Sequence, residues 1–204
     1  MTQLFGSALK VAQVFLSPLR KKHSILTHEQ MCDYVQLTYL NRTDIAYILQ
    51  KFKKTLGSES KLINIDHRYK KEEICNLFPE LRHNPYSDRI FKVFSTQDER
   101  TLSFDEFMNL CSVFSENSPL KVKASWAFMI FDFDEDNQIT ENDLCELIDR
   151  LTQPMLLSPE EKDKICKVLL KEMDLQNNGG MNRLEFTHAI SRMPDFAQVF
   201  SFKP

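Results

Sequence analysis

Asp132-Phe133-Asp134-Glu135-Asp136-Asn137-Gln138-Ile139-Thr140-Glu141-Asn142-Asp143 is the stretch that decides how this chain is read. Within twelve residues, carboxylates stand at positions 1, 3, 5 and 12 (Asp132, Asp134, Asp136, Asp143), with the Gln138 carbonyl at 7 and Thr140 at 9. Such a ring of oxygens suits a hard dication, and without one the converging carboxylates repel each other. Asn137, at the sixth position, tolerates the left-handed turn needed there better than most residues. Asp143 is one methylene shorter than Glu. Bidentate contact becomes hard, six-coordination is favoured, and Mg²⁺ gains against Ca²⁺. The bland alternative is a solvated acidic loop.

Working outward, the same frame recurs. Windows beginning at Ser95, Asp132 and Asp174 are separated by 37 and 42 residues. Each has an apolar residue four before its start (Phe91, Phe128, Leu170) and one before it (Phe94, Phe131, Met173). Leu102, Ile139 and Met181 hold the eighth position, and Phe107, Leu144 and Phe186 the thirteenth. Apolar residues at helical spacing on both sides of a polar loop make a helix–loop–helix, the frame of an EF-hand.

The Asp174 loop offers Asp174, Gln176, Asn178, the Gly180 carbonyl, Asn182 and Glu185, with Gly179 at the turn. Glu185 can bind in bidentate fashion, but two carboxylates attract a cation less than four. The alternative is a structural loop paired to its neighbour through Ile139 and Met181. The Ser95 loop has Ser95, Gln97, Glu99 and Glu106, with Arg100 at the turn position, so a positive charge enters and no cation is expected. Upstream, Leu56–Lys71 is polar and basic without ligand spacing, and reads as a degenerate hand whose second helix lies near Glu72–Leu77.

Composition narrows the function classes. Of 204 residues, 42% are hydrophobic and only four are glycine, which leaves no glycine-rich phosphate cradle and no nucleophile elbow. His23, His28, His67, His83 and His188 are scattered, so a zincin is excluded and no catalytic constellation remains. Five cysteines without a C-x-x-C read as buried thiols in a reducing, cytosolic compartment. The net charge of −3 hides blocks: residues 1–23 carry +4, while 132–185 carry −8. Basic residues on a nucleic-acid reading element are lacking, so no nucleic-acid partner is expected.

The predicted fold is all-α: four EF-hand helix–loop–helix motifs paired into two lobes, with a C-terminal helix and an N-terminal helical extension. Thr27 with Gln30, Asn41, and Ser158-Pro159-Glu160-Glu161 are expected helix starts. Residues 1–26 form the amphipathic extension, whose residues 1–22 offer Leu4, Phe5, Leu9, Phe15, Leu16 and Leu19 with a basic end for possible lipid contact. Its alternative is a frayed or self-packed terminus. Residues 27–114 form an N-lobe with two degenerate hands, and 115–204 a C-lobe with loops 132–143 and 174–185, joined around Ser115–Lys121.

The chain resembles the calcium and integrin-binding proteins in Phe78-Pro79-Glu80-Leu81, Asn84-Pro85-Tyr86, Arg89-Ile90, Ser112-Val113-Phe114-Ser115-Glu116, Ala127-Phe128-Met129-Ile130-Phe131-Asp132-Phe133 and Pro194-Asp195-Phe196. It departs at Gln176 and Asn178, often acidic in that family, and begins Met1-Thr2, without the glycine that myristoylation needs. The resemblance implies two silent N-terminal hands and two that bind Ca²⁺ or Mg²⁺, with Asp143 in the third. It also implies a non-enzymatic adaptor or auxiliary subunit, monomeric within a larger complex, cytoplasmic and peripheral at the inner face of the plasma membrane. Its partner would be a helical cytoplasmic segment of a membrane protein, either an integrin α tail or a transmembrane channel-like (TMC) mechanosensory channel. A constitutive structural subunit, or a cation buffer, with target binding independent of Ca²⁺ is the alternative. The target groove is expected along Phe114, Leu144, Leu147, Ile148, Leu151, Ile165, Leu169, Phe186 and Ile190, any of which is as readily a core residue. Phe196, Val199 and Phe200, at helical spacing near the terminus, form a segment expected to compete for that groove.

Overall fold

The computed structural model describes residues 26–55, 67–97, 100–193 and 195–201. The chain divides into two compact units, one ending at His67 and one starting at Arg68.

In the first unit, α1 (His28–Leu37) starts at Thr27, whose hydroxyl accepts from the Gln30 amide while the Gln30 side chain accepts from Thr27 N. Two orphan amides are thereby satisfied at one helix end. The Asn41 side chain accepts from the Thr43 and Asp44 amides and starts α2 (Arg42–Thr55). Ile45, Ile48, Leu49 and Phe52 repeat at helical spacing along α2 and are buried, while α1 packs on it. The extension predicted over residues 1–26 lies outside the described residues except for Leu26.

The second unit carries β1 (Arg68–Lys70), α3 (Lys71–Leu77), α4 (Pro79–Arg82), α5 (Ser87–Phe94), β2 (Thr101–Ser103) and α6 (Phe104–Phe114). It continues with α7 (Leu120–Phe131), β3 (Ile139–Thr140), α8 (Glu141–Thr152), α9 (Pro159–Met173), β4 (Gly180–Met181), α10 (Arg183–Ser191) and α11 (Phe196–Val199). The fold is all-α and EF-hand: helices alternate with loops, and the loops join in short antiparallel ladders, β1 with β2 and β3 with β4. Ile139 faces Met181, and Tyr69 faces Leu102. Tyr69 therefore takes the eighth position of the first loop, a register that the polar run 56–71 did not reveal.

The Ser115–Lys121 joint lies inside this second unit. The Phe94 ring stacks on Trp126 at 4.1 Å and meets Phe114 at 6.1 Å, so α5, α6 and α7 share one apolar seam across it. Around the second ladder, Ala124, Ala127, Phe128, Ile139, Leu144, Ile148, Cys166, Met181, Phe186 and Ile190 make a contiguous core. The five cysteines form no disulfide, with Cys75, Cys111 and Cys166 buried and Cys32 and Cys145 partly exposed. Among the described residues, no helix is long and apolar enough to cross a membrane.

Candidate metal centre and groove

The third loop runs from the end of α7 to the start of α8, and those helix ends aim its carboxylates inward. Oxygens of Asp132, Asp134 and Asp136 lie within 4.8 Å of one another. Asp132 is 5% exposed; its Oδ2 accepts from the Asn137 amide at 3.0 Å, while its Oδ1 is buried without a hydrogen-bond partner. Burial, reinforced by the charges of Asp143 and Asp136, pushes the Asp132 carboxyl up, although the Asn137 amide works against this. A buried, unpartnered carboxylate oxygen among like charges is costly, and a dication at that point removes the cost. Asn137 holds φ +67° at the turn position, as the sequence reading required. Asp143 is buried, and its oxygens accept from the Phe133 amide at 2.8 Å and from the Thr140 amide and hydroxyl. The Thr140 hydroxyl therefore spends its proton on Asp143, which leaves its oxygen an acceptor. Gln138 lies on the same loop, its amide donating to Asp136 Oδ1 at 2.7 Å. The residues present fit a hard dication.

The fourth loop shares this skeleton with less charge. The Asp174 oxygens accept from the Asn178 and Gly179 amides, and Glu185 accepts from those of Gln176 and Asn182. Gly179 sits at φ +94° in the turn, where a side chain would be strained. Asn182 is spent in part on the helix, its Oδ1 accepting from the Leu184 and Glu185 amides as the cap of α10. Gly180 packs so closely on the third loop that an added Cβ would stand 2.9 Å from Gln138 Oε1. The two loops are thus one mechanical unit.

One bond runs through all four hands: the ninth residue's amide donates to the twelfth residue's carboxylate. The pairs are Lys70 to Glu73 at 2.6 Å, Ser103 to Glu106 at 2.8 Å, Thr140 to Asp143 at 2.9 Å and Asn182 to Glu185 at 2.9 Å. The two loops without a full ligand set keep the scaffold of the site.

The second hand fills its centre with a side chain. Arg68, from the first loop, donates to Ser95 Oγ at 2.8 Å, to Thr101 Oγ1 and to the Thr101 carbonyl at 2.9 Å, and pairs with Glu106 at 3.0 Å. Ser95, Thr101 and Glu106 are the first, seventh and twelfth positions of that loop, so the guanidinium reaches three places from which a cation would be held. Arg100 is the charge that the sequence places at the turn of this loop; the structure adds Arg68, which the β1–β2 register carries across the ladder. Arg89, on α5, ties the second hand to the third by donating to the Met129 and Asp132 carbonyls and pairing with Glu135 at 2.8 Å.

The expected groove residues divide. Phe114, Leu144, Ile148, Phe186 and Ile190 are buried, and all but Phe114 belong to the contiguous core. Leu147 is half-buried, as is Leu169, which packs on that core, while Leu151 and Ile165 are exposed. The terminal segment lies on the same core through Phe196 and Phe200, and Phe200 stacks on Phe114 at 4.7 Å. Val199, predicted to share that stripe, is 83% exposed. In a single helical turn, Phe196 and Phe200 define the contact line and Val199 lies roughly 80° away from it.

Residues 121–191 match the family described as an EF-hand domain pair. The chain is similar to calcium and integrin-binding family member 2 of Homo sapiens, 33% identical over 189 residues that cover 89% of this chain and 98% of that relative. Family member 2 of Drosophila melanogaster is 33% identical over 187 residues, covering 87% and 95%. Family member 3 of Homo sapiens is 31% identical over 187 residues, covering 89% and 98%. Likeness of this extent, over most of the chain and nearly the whole of each relative, assigns the chain to the calcium and integrin-binding family.

Proposed function

We propose that this protein is a non-enzymatic, Ca²⁺- and Mg²⁺-binding adaptor or auxiliary subunit that holds a helical cytoplasmic segment of a membrane protein. The observation that carries the cation half is the buried, unpartnered Oδ1 of Asp132, a residue whose carboxylate converges with those of Asp134 and Asp136. The short Asp143 favours Mg²⁺ there, and the fourth loop, through Asp174 and Glu185, is the weaker Ca²⁺ site. The target half rests on Phe196 and Phe200, a one-turn helix laid on the C-terminal core. A helix that short does not hold its shape in water alone, so the surface beneath it is suited to an amphipathic helix. The names of the relatives point to integrins, and an integrin α tail or a TMC-type channel segment is the partner class in view. The protein would sit at the inner face of the plasma membrane as a monomer within that complex, with residues 1–22 touching lipid.

Arg68 favours a second reading, in which target binding is constitutive. With a guanidinium in the second hand, that half of the scaffold needs no Ca²⁺. A pull-down from membrane extract in Mg²⁺, Ca²⁺ or chelator separates the two. The adaptor reading expects an integral membrane protein recovered with cation and lost with chelator. Equal recovery in chelator favours the constitutive subunit, and recovery of no membrane protein sinks both.

A further inference from the structure

Lys123, on α7, has no exposed surface at all. Its ammonium donates to the Phe200 carbonyl at 3.0 Å and to the Ser201 hydroxyl. Phe200 caps the C-terminal end of α11, and Ser201 in turn donates to the Ala197 carbonyl one turn back. The last turn of the terminal segment is thus wrapped around a buried cation, with the negative end of the helix facing it. On either side the contact is apolar: Phe200 stacks on Phe114 at 4.7 Å and on Phe196 at 5.3 Å. Burial pushes the ammonium down to about 8, although Glu116 pulls the other way.

This arrangement has a consequence when the segment leaves. The aromatic contacts can be replaced by any apolar side chains, because dispersion and burial are not directional. The ammonium cannot be satisfied that way. A buried Lys with no acceptor is far costlier than an exposed one, so an occupant must bring an oxygen to the same point. We propose that Lys123 is the specificity-determining residue of this surface, selecting an amphipathic helix that carries two aromatic residues one turn apart and ends at the ammonium, giving it a last-turn carbonyl or terminal carboxylate. An apolar helix running on through that point would bury the charge against hydrocarbon and be rejected. This rests on the reading of the surface as a helix-binding site, but not on the partner being a membrane protein.

Hydrogen exchange over Phe196–Ser201 in the full-length protein tests the anchor. In Lys123→Met, which keeps much of the length and removes the charge, exchange of the segment rises about tenfold, the low end for losing a hydrogen bond to a charged group. Ser201→Ala leaves α7 untouched and gives a smaller rise, so the test stays readable if the Met variant does not fold. Two helical probe peptides with Phe-x-x-x-Phe test the selection, one ending in a free carboxylate just after the second Phe, the other continuing for two apolar turns. The first displaces the segment about tenfold better from the wild type, and no better from Lys123→Met, since the stranded charge no longer discriminates. Unchanged exchange in both variants, equal displacement from the wild type, or displacement by neither peptide overturns the proposal. The pull-down can fail while this holds, because the peptides need no membrane protein, and the reverse outcome is equally distinct.

Discussion

Replacing Arg68 with Met removes the guanidinium from the second hand and leaves Glu106, 7% exposed, without its counter-charge. The lost contacts are the pair with Glu106 at 3.0 Å, the Ser95 hydrogen bond at 2.8 Å and the two to Thr101 at 2.9 Å. Breaking a fully buried pair from one side costs about 3–5 kcal/mol. Arg68 is 22% exposed, so water recovers part of this, and Glu106 still accepts from the Thr96 and Ser103 amides. A destabilisation of about 2–3 kcal/mol follows, or roughly 5–10 °C in midpoint for a chain of this size. Burial alone would raise the Glu106 carboxyl, but hydrogen bonds from Thr96, Ser103 and Arg68 more than offset it and hold the group below its ordinary value. Its folded pKa is therefore the lower one. The contribution is complete above the unfolded value and is lost as pH falls through the folded one. In Arg68→Met the folded value rises towards the unfolded one, so the contribution is smaller and its loss ends at higher pH. Circular-dichroism melts in chelator, at neutral pH and across the acid range, read both effects. A midpoint and acid limb unchanged from the wild type would refute the claim that Arg68 holds the second hand together.

Titration calorimetry on Asp132→Ala and Glu185→Ala assigns the cations: the first variant loses Mg²⁺ binding, while the second keeps it and loses the weaker Ca²⁺ step. Mg²⁺ binding that survives Asp132→Ala would overturn the assignment. Flotation with anionic vesicles compares the full chain with residues 23–204. The full chain floats and the shortened one does not if residues 1–22 contact lipid, and equal flotation removes that role.

Much of the fold was legible because an EF-hand is written in local terms. Ligand spacing, the left-handed turn at Asn137 or Gly179, and the eighth-position apolar residue all lie within one twelve-residue window. Helix starts at Thr27, Asn41 and Ser158 were legible for the same reason, since a capping side chain reaches only two or three residues. The first loop was less so. Without acids to mark it, its register became visible only when Tyr69 paired with Leu102. The candidate groove was harder still, because an apolar residue at helical spacing looks the same whether it lines a surface or fills the core.

By itself, then, the sequence determined the hands, the loop chemically fitted to a dication, and the family. Each depends on residues close together in the chain, whose side chains meet through backbone geometry alone. Tertiary structure decided that Arg68 enters the second loop, which aromatics of the terminal segment turn inward, and what the buried ammonium of Lys123 touches. Arg68 reaches Ser95 across 27 positions and Lys123 reaches Phe200 across 77. Contacts at such separations follow from how ladders and helices pack, and no local pattern encodes them.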